Sequence, residues 1–220
     1  MNKPRILVYA SGSAQGGGSG FANLVKASRE GLLDAEICKV ISNHADGGVK
    51  KYADELGIPF AHFHGPWTAE KYQEFANDSG ADFFALSGWL KIVTGLDSNT
   101  KFNSKTVFNI HPGPLPQFGG TGMYGHHVHK AVIEAYKRGE IKHSAVCMHF
   151  VTEGYDRGPV FLQFKVKIED NDTPESISQH INSWEHHFQP IITDMVVKGK
   201  IHWDGINPSS LICPTNYSIS

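Results

Sequence analysis

Short apolar runs recur through the first half of the chain, each bounded by Gly, Ser or Pro and followed by a stretch with helical spacing. Arg5 to Ala10 reads as a strand ending in a Gly-rich turn, and a helix is predicted from about Phe21 to Gly31. Ala35 to Ser42, Ile58 to Phe63 and Asp82 to Ser87 repeat the strand pattern. Between them, Gly48 to Leu56 reads as a helix closed by Gly57, and Thr68 to Asp78 as a helix capped by Thr68. Strands alternating with helices in this rhythm predict an α/β fold, an open, mostly parallel, Rossmann-like sheet with helices on both faces.

Beyond residue 100 the pattern changes. Thr106 to Ile110 is a further strand that runs into a Pro- and Gly-rich loop, His111 to Gly125, followed by a helix to about Arg138. Ser144 to Thr152 and Val160 to Ile168 form a β-rich part. A long helix then starts at Thr173-Pro174-Glu175, where Thr caps and Pro takes the first helical position, and runs to about Lys198. The stretch 207–220 is polar and broken by Pro208 and Pro214, and is expected to be loosely held.

Composition narrows the function classes. The chain has 220 residues and a formal net charge of -2, with no concentration of Lys and Arg of the kind that tracks nucleic-acid phosphates. Three dispersed cysteines, Cys38, Cys147 and Cys213, fit a reducing compartment. No apolar run reaches the roughly 20 residues that span a bilayer, so a cytoplasmic protein is expected. Thirteen histidines raise the question of a metal, but no zinc-type spacing is present and none is expected.

Candidate chemistry gathers at the carboxyl ends of the predicted strands, where parallel sheets bind ligands. The loop Ser11 to Gly20 combines exposed backbone N–H groups with a helix N-terminus and suits a phosphate or carboxylate, although a plain flexible turn fits its composition equally. Ser87 to Val93 follows another strand end and reads on its own as an ordinary strand-to-loop transition. Asn109 and His111 alternate onto one side of a strand, an arrangement suited to polarising a carbonyl.

Two motifs carry a resemblance. Asn109-Ile110-His111-Pro112-Gly113-Pro114-Leu115-Pro116 and the later His149-to-Pro159 segment, with Asp156-Arg157-Gly158, resemble the paired signatures of folate-dependent formyltransferases. The similarity runs from the first strand through Glu185-His186. It implies Asn109, His111 and Asp156 as catalytic residues: Asn109 donating to the formyl oxygen, His111 stabilising the oxyanion and helping to move protons, and Asp156 orienting His111 and favouring its charged form. It further implies Gly18, Ser19 and Gly20 at the substrate phosphate and Glu185 at a ribose. Leu90, Lys91, Ile92 and Val93, with Asn109, would line the folate site. The formyl donor would be 10-formyltetrahydrofolate, a cosubstrate and not a bound prosthetic group, and the acceptor a phosphoribosyl amine.

On this resemblance, 1–206 forms one domain, with a phosphate-binding half (1–100) and a catalytic, folate-binding half (101–206). Relatives acting on tRNA carry an extra domain, so the chain's length favours a small acceptor. A monomer or weak homodimer, binding neither nucleic acid nor membrane, is expected. An amino-sugar nucleotide as acceptor and a non-catalytic phosphate-binding module are the competing readings. The chain departs from the family pattern in four places. The first loop is longer by about Ala14 to Gly17, Gly20 replaces Asn, Gly113-Pro114 replaces a small residue and Leu, and Ala145 replaces Gly. The basic residue expected near the third helix is unmatched, Lys71 being out of register.

Overall fold

The computed structural model describes residues 3–214. Seven strands form one sheet in the order β3-β2-β1-β4-β5-β6-β7. The strands are β1 (Arg5–Tyr9), β2 (Glu36–Ser42), β3 (Phe60–His62), β4 (Phe83–Ser87), β5 (Val107–His111), β6 (His143–Phe150) and β7 (Val160–Lys167). Neighbours among β1 to β5 are parallel, while β5–β6 and β6–β7 are antiparallel. The helices are α1 (Ser19–Arg29), α2 (Gly48–Leu56), α3 (Ala69–Ser79), α4 (His126–Lys137) and α5 (Pro174–Val197). The predicted fold class is the observed one, with element ends displaced by a residue or two.

Alternation along β1 separates the two cores. Ile6, Val8 and Ala10 face a large apolar cluster with residues of α1, α2, α4 and α5, such as Leu24, Val49, Val128 and Ile181. Leu7 and Tyr9 face a smaller, aromatic cluster with Tyr72, Phe84, Trp89 and Phe102, covered by α3. Burying both faces explains why these strands are nearly continuous apolar runs. The α2 and α3 helices end on Gly57 and Gly80 in left-handed conformation, and Thr68 and Thr173 accept backbone N–H groups at the starts of α3 and α5.

The sheet order reverses at β1, since the chain passes from β1 outward to β2 and β3 and returns to β4 on the other side. That reversal opens a crevice beyond the ends of β1 and β4, as doubly wound sheets require. Ser11 spans it, donating its N–H to the Gly88 carbonyl at 3.0 Å and accepting the Leu90 N–H on its hydroxyl at 2.9 Å.

The expectation of a loosely held C-terminal stretch is corrected for 207–214. Pro208–Ser210 forms a short 3-10 turn capped by Asn207, Ile212 bridges to His202 with mutual backbone hydrogen bonds, and Leu211 and Cys213 rest against the main core. Apolar contacts that are invisible in local composition anchor this segment. The remainder of the expected tail lies outside the described residues.

Candidate active site

A cavity of about 810 Å³ occupies the crevice and extends over the ends of β4 and β5. Its walls include Gly18, Ser19, Gly20, Leu90, Lys91, Ile92, Asn109, His111, Asp156 and Glu185, so residues expected to serve in phosphate, folate, ribose and formyl contacts share one space. Val93 stands apart: its side chain is buried in the aromatic core, where it borders only a small adjoining recess.

Asn109 and His111 lie near the carboxyl end of β5, pointing to one side as strand alternation requires. Asp156 comes from the turn between β6 and β7 and adopts a left-handed backbone, φ 52°. Its carboxylate gathers the site. Oδ2 accepts the Gly120 N–H at 3.0 Å and stands 3.7 Å from His111 Nδ1, while Oδ1 is 3.4 Å from Asn109 Nδ2 and 3.3 Å from His149 Nε2. His111 Nε2 donates to the Phe118 carbonyl at 2.8 Å, which leaves Nδ1 facing Asp156.

His111 is 3% exposed. Burial lowers its pKa below the ordinary histidine value; the nearby Asp156 charge and the Phe118 carbonyl pull the other way but do not prevail. The Asp156 charge does favour the charged form of His111, but burial outweighs it and leaves the resting imidazole neutral. Asp156 keeps a lowered pKa despite burial, through its contact with His149, the charge that His111 carries once protonated, and the Gly120 N–H.

Sequence reasoning passed over His149. It pairs with Asn109 across β5 and β6, is buried, and places Nε2 3.1 Å from Asn109 Nδ2 while Nδ1 donates to the Phe150 carbonyl at 2.8 Å. The second motif contains this histidine, but its juxtaposition with Asn109 depends on the antiparallel register. The Asn109 amide is thus held by two partners, and the contact to Asp156 is the longer of the two.

At the opposite end of the cavity, α1 begins at Gly18, in left-handed conformation (φ 88°) with no side-chain cap. Its first N–H groups are available to an anion. The lengthened part of the loop does not obstruct them. Ser13 and Gly16 close a tight turn with backbone bonds of 2.7 and 3.3 Å, and the turn docks on the start of α2, where Gly48 donates to the Ser13 carbonyl at 3.3 Å. A Cβ on Gly47 or Gly48 would collide with the Ser13 or Gly17 carbonyl, which accounts for both glycines.

Among the described residues that line the cavity, Lys91 is the sole Lys or Arg, and its ammonium stands 4.4 Å from the centre of the Trp67 ring, itself part of the wall. Lys71 instead pairs with Glu74 on the surface. Among the described residues, no cluster of three His, Cys, Asp or Glu side chains could hold a metal, and no helix is long and apolar enough to cross a membrane.

Two further groups make the site's environment testable. Glu185 is half-buried on the cavity wall, and burial pushes its carboxyl up to about 7 against a hydrogen bond from Asn182. The unfolded chain ionises this group near 4.5, so native stability is lost as pH rises from 4.5 towards 7. Glu185→Gln is expected to raise Tm at pH 8 and to leave it unchanged at pH 4, as followed by thermal melts. His126 and His127 are exposed, but His129 is 4% exposed, lines the cavity and leaves Nδ1 buried without a partner. Burial, with smaller contributions from His126 and His111, lowers its pKa from 6.5 to about 4. Below pH 6.5 the unfolded state takes up a proton that the native state refuses, so stability falls with pH until about 4, by on the order of 3 kcal/mol for this residue. His129→Leu is expected to remove that part of the slope in urea denaturation between pH 7 and 4.

The fold and site define an open α/β protein whose strand ends carry polar groups suited to carbonyl chemistry beside an uncapped helix start. Residues 5–193 match the formyl transferase family model, and the chain belongs to that family. It is 32% identical over 215 residues to a chloroplastic phosphoribosylglycinamide formyltransferase of Arabidopsis thaliana, covering 93% of this chain and 70% of that protein. It is 27% identical to the Bacillus subtilis phosphoribosylglycinamide formyltransferase, covering 86% of this chain and 92% of that one. The crystal structure of phosphoribosylglycinamide formyltransferase from Anaplasma phagocytophilum superposes with a TM-score of 0.79 at 26% identity, covering 99% and 97% of the two chains.

Proposed function

We propose that this protein transfers the formyl group of 10-formyltetrahydrofolate to the amine of glycinamide ribonucleotide, a step of de novo purine synthesis. The observation that carries this reading is the continuity of the cavity from the uncapped start of α1 to the Asn109–His111–Asp156 cluster. An acceptor with a phosphate at one end and an amine at the other fits that span, and the names of the relatives agree with it.

In this reading the donor lies along Leu90, Lys91 and Ile92, with the Lys91–Trp67 pair meeting its anionic tail. The amine nitrogen attacks the formyl carbon, and charge builds on the formyl oxygen. Asn109 Nδ2 exchanges its long contact with Asp156 for that oxygen. His111, neutral at rest, takes the amine proton on Nδ1, and Asp156 stabilises the resulting imidazolium. The bond from the formyl carbon to the folate nitrogen then breaks, and the proton passes to that nitrogen. The bound substrates react directly, so no covalent enzyme intermediate is needed.

Mixing the protein with 10-formyltetrahydrofolate and glycinamide ribonucleotide should release tetrahydrofolate in step with formylated product. Turnover with an amino-sugar nucleotide and none with glycinamide ribonucleotide would overturn the acceptor while keeping the reaction class. No turnover with any amine would favour a binding module.

A further inference from the structure

We propose that the carboxamide of Gln189, fixed by Ser87 in the space beside Gly20, is a specificity-determining hydrogen-bond donor to an amide carbonyl of the acceptor. The proposal rests on the acceptor reading above and adds residues to which neither the sequence motifs nor the catalytic geometry gives a role.

Gly20 is the second residue of α1, and its backbone is helical, so conformation does not require glycine there. A side chain is excluded by its neighbours: a Cβ would collide with Ser87 Oγ and lie 3.2 Å from Gln189 Oε1. Ser87 and Gln189 are both buried, Gln189 to 1% exposure, and their polar ends meet at 3.2 Å between Ser87 Oγ and Gln189 Oε1. The hydroxyl occupies the carboxamide oxygen. Among the described residues, Gln189 Nε2 has no hydrogen-bond partner, although the side chain borders the cavity. Nε2 is therefore a donor held at the cavity wall with no protein acceptor, and the oxygen of a bound ligand would take it.

Position identifies that oxygen. Ser87 ends β4 and pairs with Ile110, the residue between Asn109 and His111. Gly20 adjoins Ser19 at the anion-binding start of α1. The Ser87–Gln189 pair therefore lies between the phosphate end and the reaction centre, where the link between sugar and amine must pass. In glycinamide ribonucleotide that link is an amide, and its carbonyl is the complement of Gln189 Nε2. The depth of Gln189 is also set: Pro190 cannot donate to the His186 carbonyl one turn back, and Asn23 Nδ2 of α1 takes that place at 2.6 Å. This contact ties α5 to α1 beside the pair.

Steady-state kinetics with both substrates tests the proposal. Gln189→Met is expected to raise the acceptor KM about tenfold, with kcat and the donor KM within about twofold, as for one lost hydrogen bond. Gln189→Glu should raise it further, because it sets a second acceptor against the carbonyl. Ser87→Ala, the gentler change, should raise it several-fold. Gly20→Ala should do the same in the native background but add little to Ser87→Ala, since its Cβ would then lie 3.7 Å from the Cβ at position 87. An unchanged acceptor KM in Gln189→Met, or equal rises in both KM values, would overturn the role of Gln189 and leave the acceptor reading standing. Absence of native turnover with glycinamide ribonucleotide would overturn the acceptor, and with it the carbonyl assigned here.

Discussion

Asn109→Ala is expected to lower kcat by about 10²- to 10³-fold at saturating concentrations of both substrates, with smaller changes in either KM. A preorganised donor aimed at a developing oxyanion acts mainly in the transition state, and losing one costs about 3–4 kcal/mol of barrier height. Asn109 is preorganised from two directions. Its backbone is fixed within β5 between β4 and β6, and its amide is held by His149 at 3.1 Å and Asp156 at 3.4 Å. The measurement is a steady-state comparison of native and variant protein with tetrahydrofolate release as the signal. A kcat within threefold of the native value would remove Asn109 from the oxyanion site.

Asp156→Asn is expected to lower kcat by about 10²-fold or more while leaving the fold intact. Asparagine tolerates the left-handed backbone at this position and its amide oxygen can still accept the Gly120 N–H, so the substitution removes the charge and the second oxygen, which meets Asn109 Nδ2. The Asp156 carboxylate is the neighbour that raises the His111 pKa against burial. Without it, His111 should protonate at still lower pH, moving the acid limb of the kcat/KM profile downward while the plateau falls. Stability should change in a defined window. Because Asp156 has a lowered pKa, its charge stabilises the native state above the ordinary carboxylate range, and that contribution is lost as pH falls through the lowered value. The variant should lack this part of the acid dependence in denaturant titrations. An unchanged rate profile would show that Asp156 only shapes the turn.

The two variants probe different links in the same cluster. One removes the donor that meets the formyl oxygen, and the other removes the charge that makes proton acceptance by a buried imidazole affordable. His149 joins them physically, since it contacts both Asn109 and Asp156.

Periodicity along the chain was sufficient for the alternating strands and helices, because strands buried on both faces are apolar throughout and the helix ends carry Thr and Gly. It also sufficed to put Asn109 and His111 on one side of β5, since side-chain direction alternates with period two. Asp156 and Glu185 were legible through motif resemblance alone; no local rule marks an acidic residue in a turn or on a helix as belonging to a distant site. Three things were decided by tertiary structure. The antiparallel register of β5 and β6 places His149 against Asn109. The depth of burial leaves His111 neutral despite its acidic neighbour, a balance between desolvation and charge that the order of residues does not encode. The close approach of α1, β4 and α5 brings Gly20, Ser87 and Gln189 together from three separate parts of the chain. Local sequence determines which backbone elements form and which way their side chains alternate, whereas hydrogen-bond partners and protonation states depend on which elements meet, and at what depth.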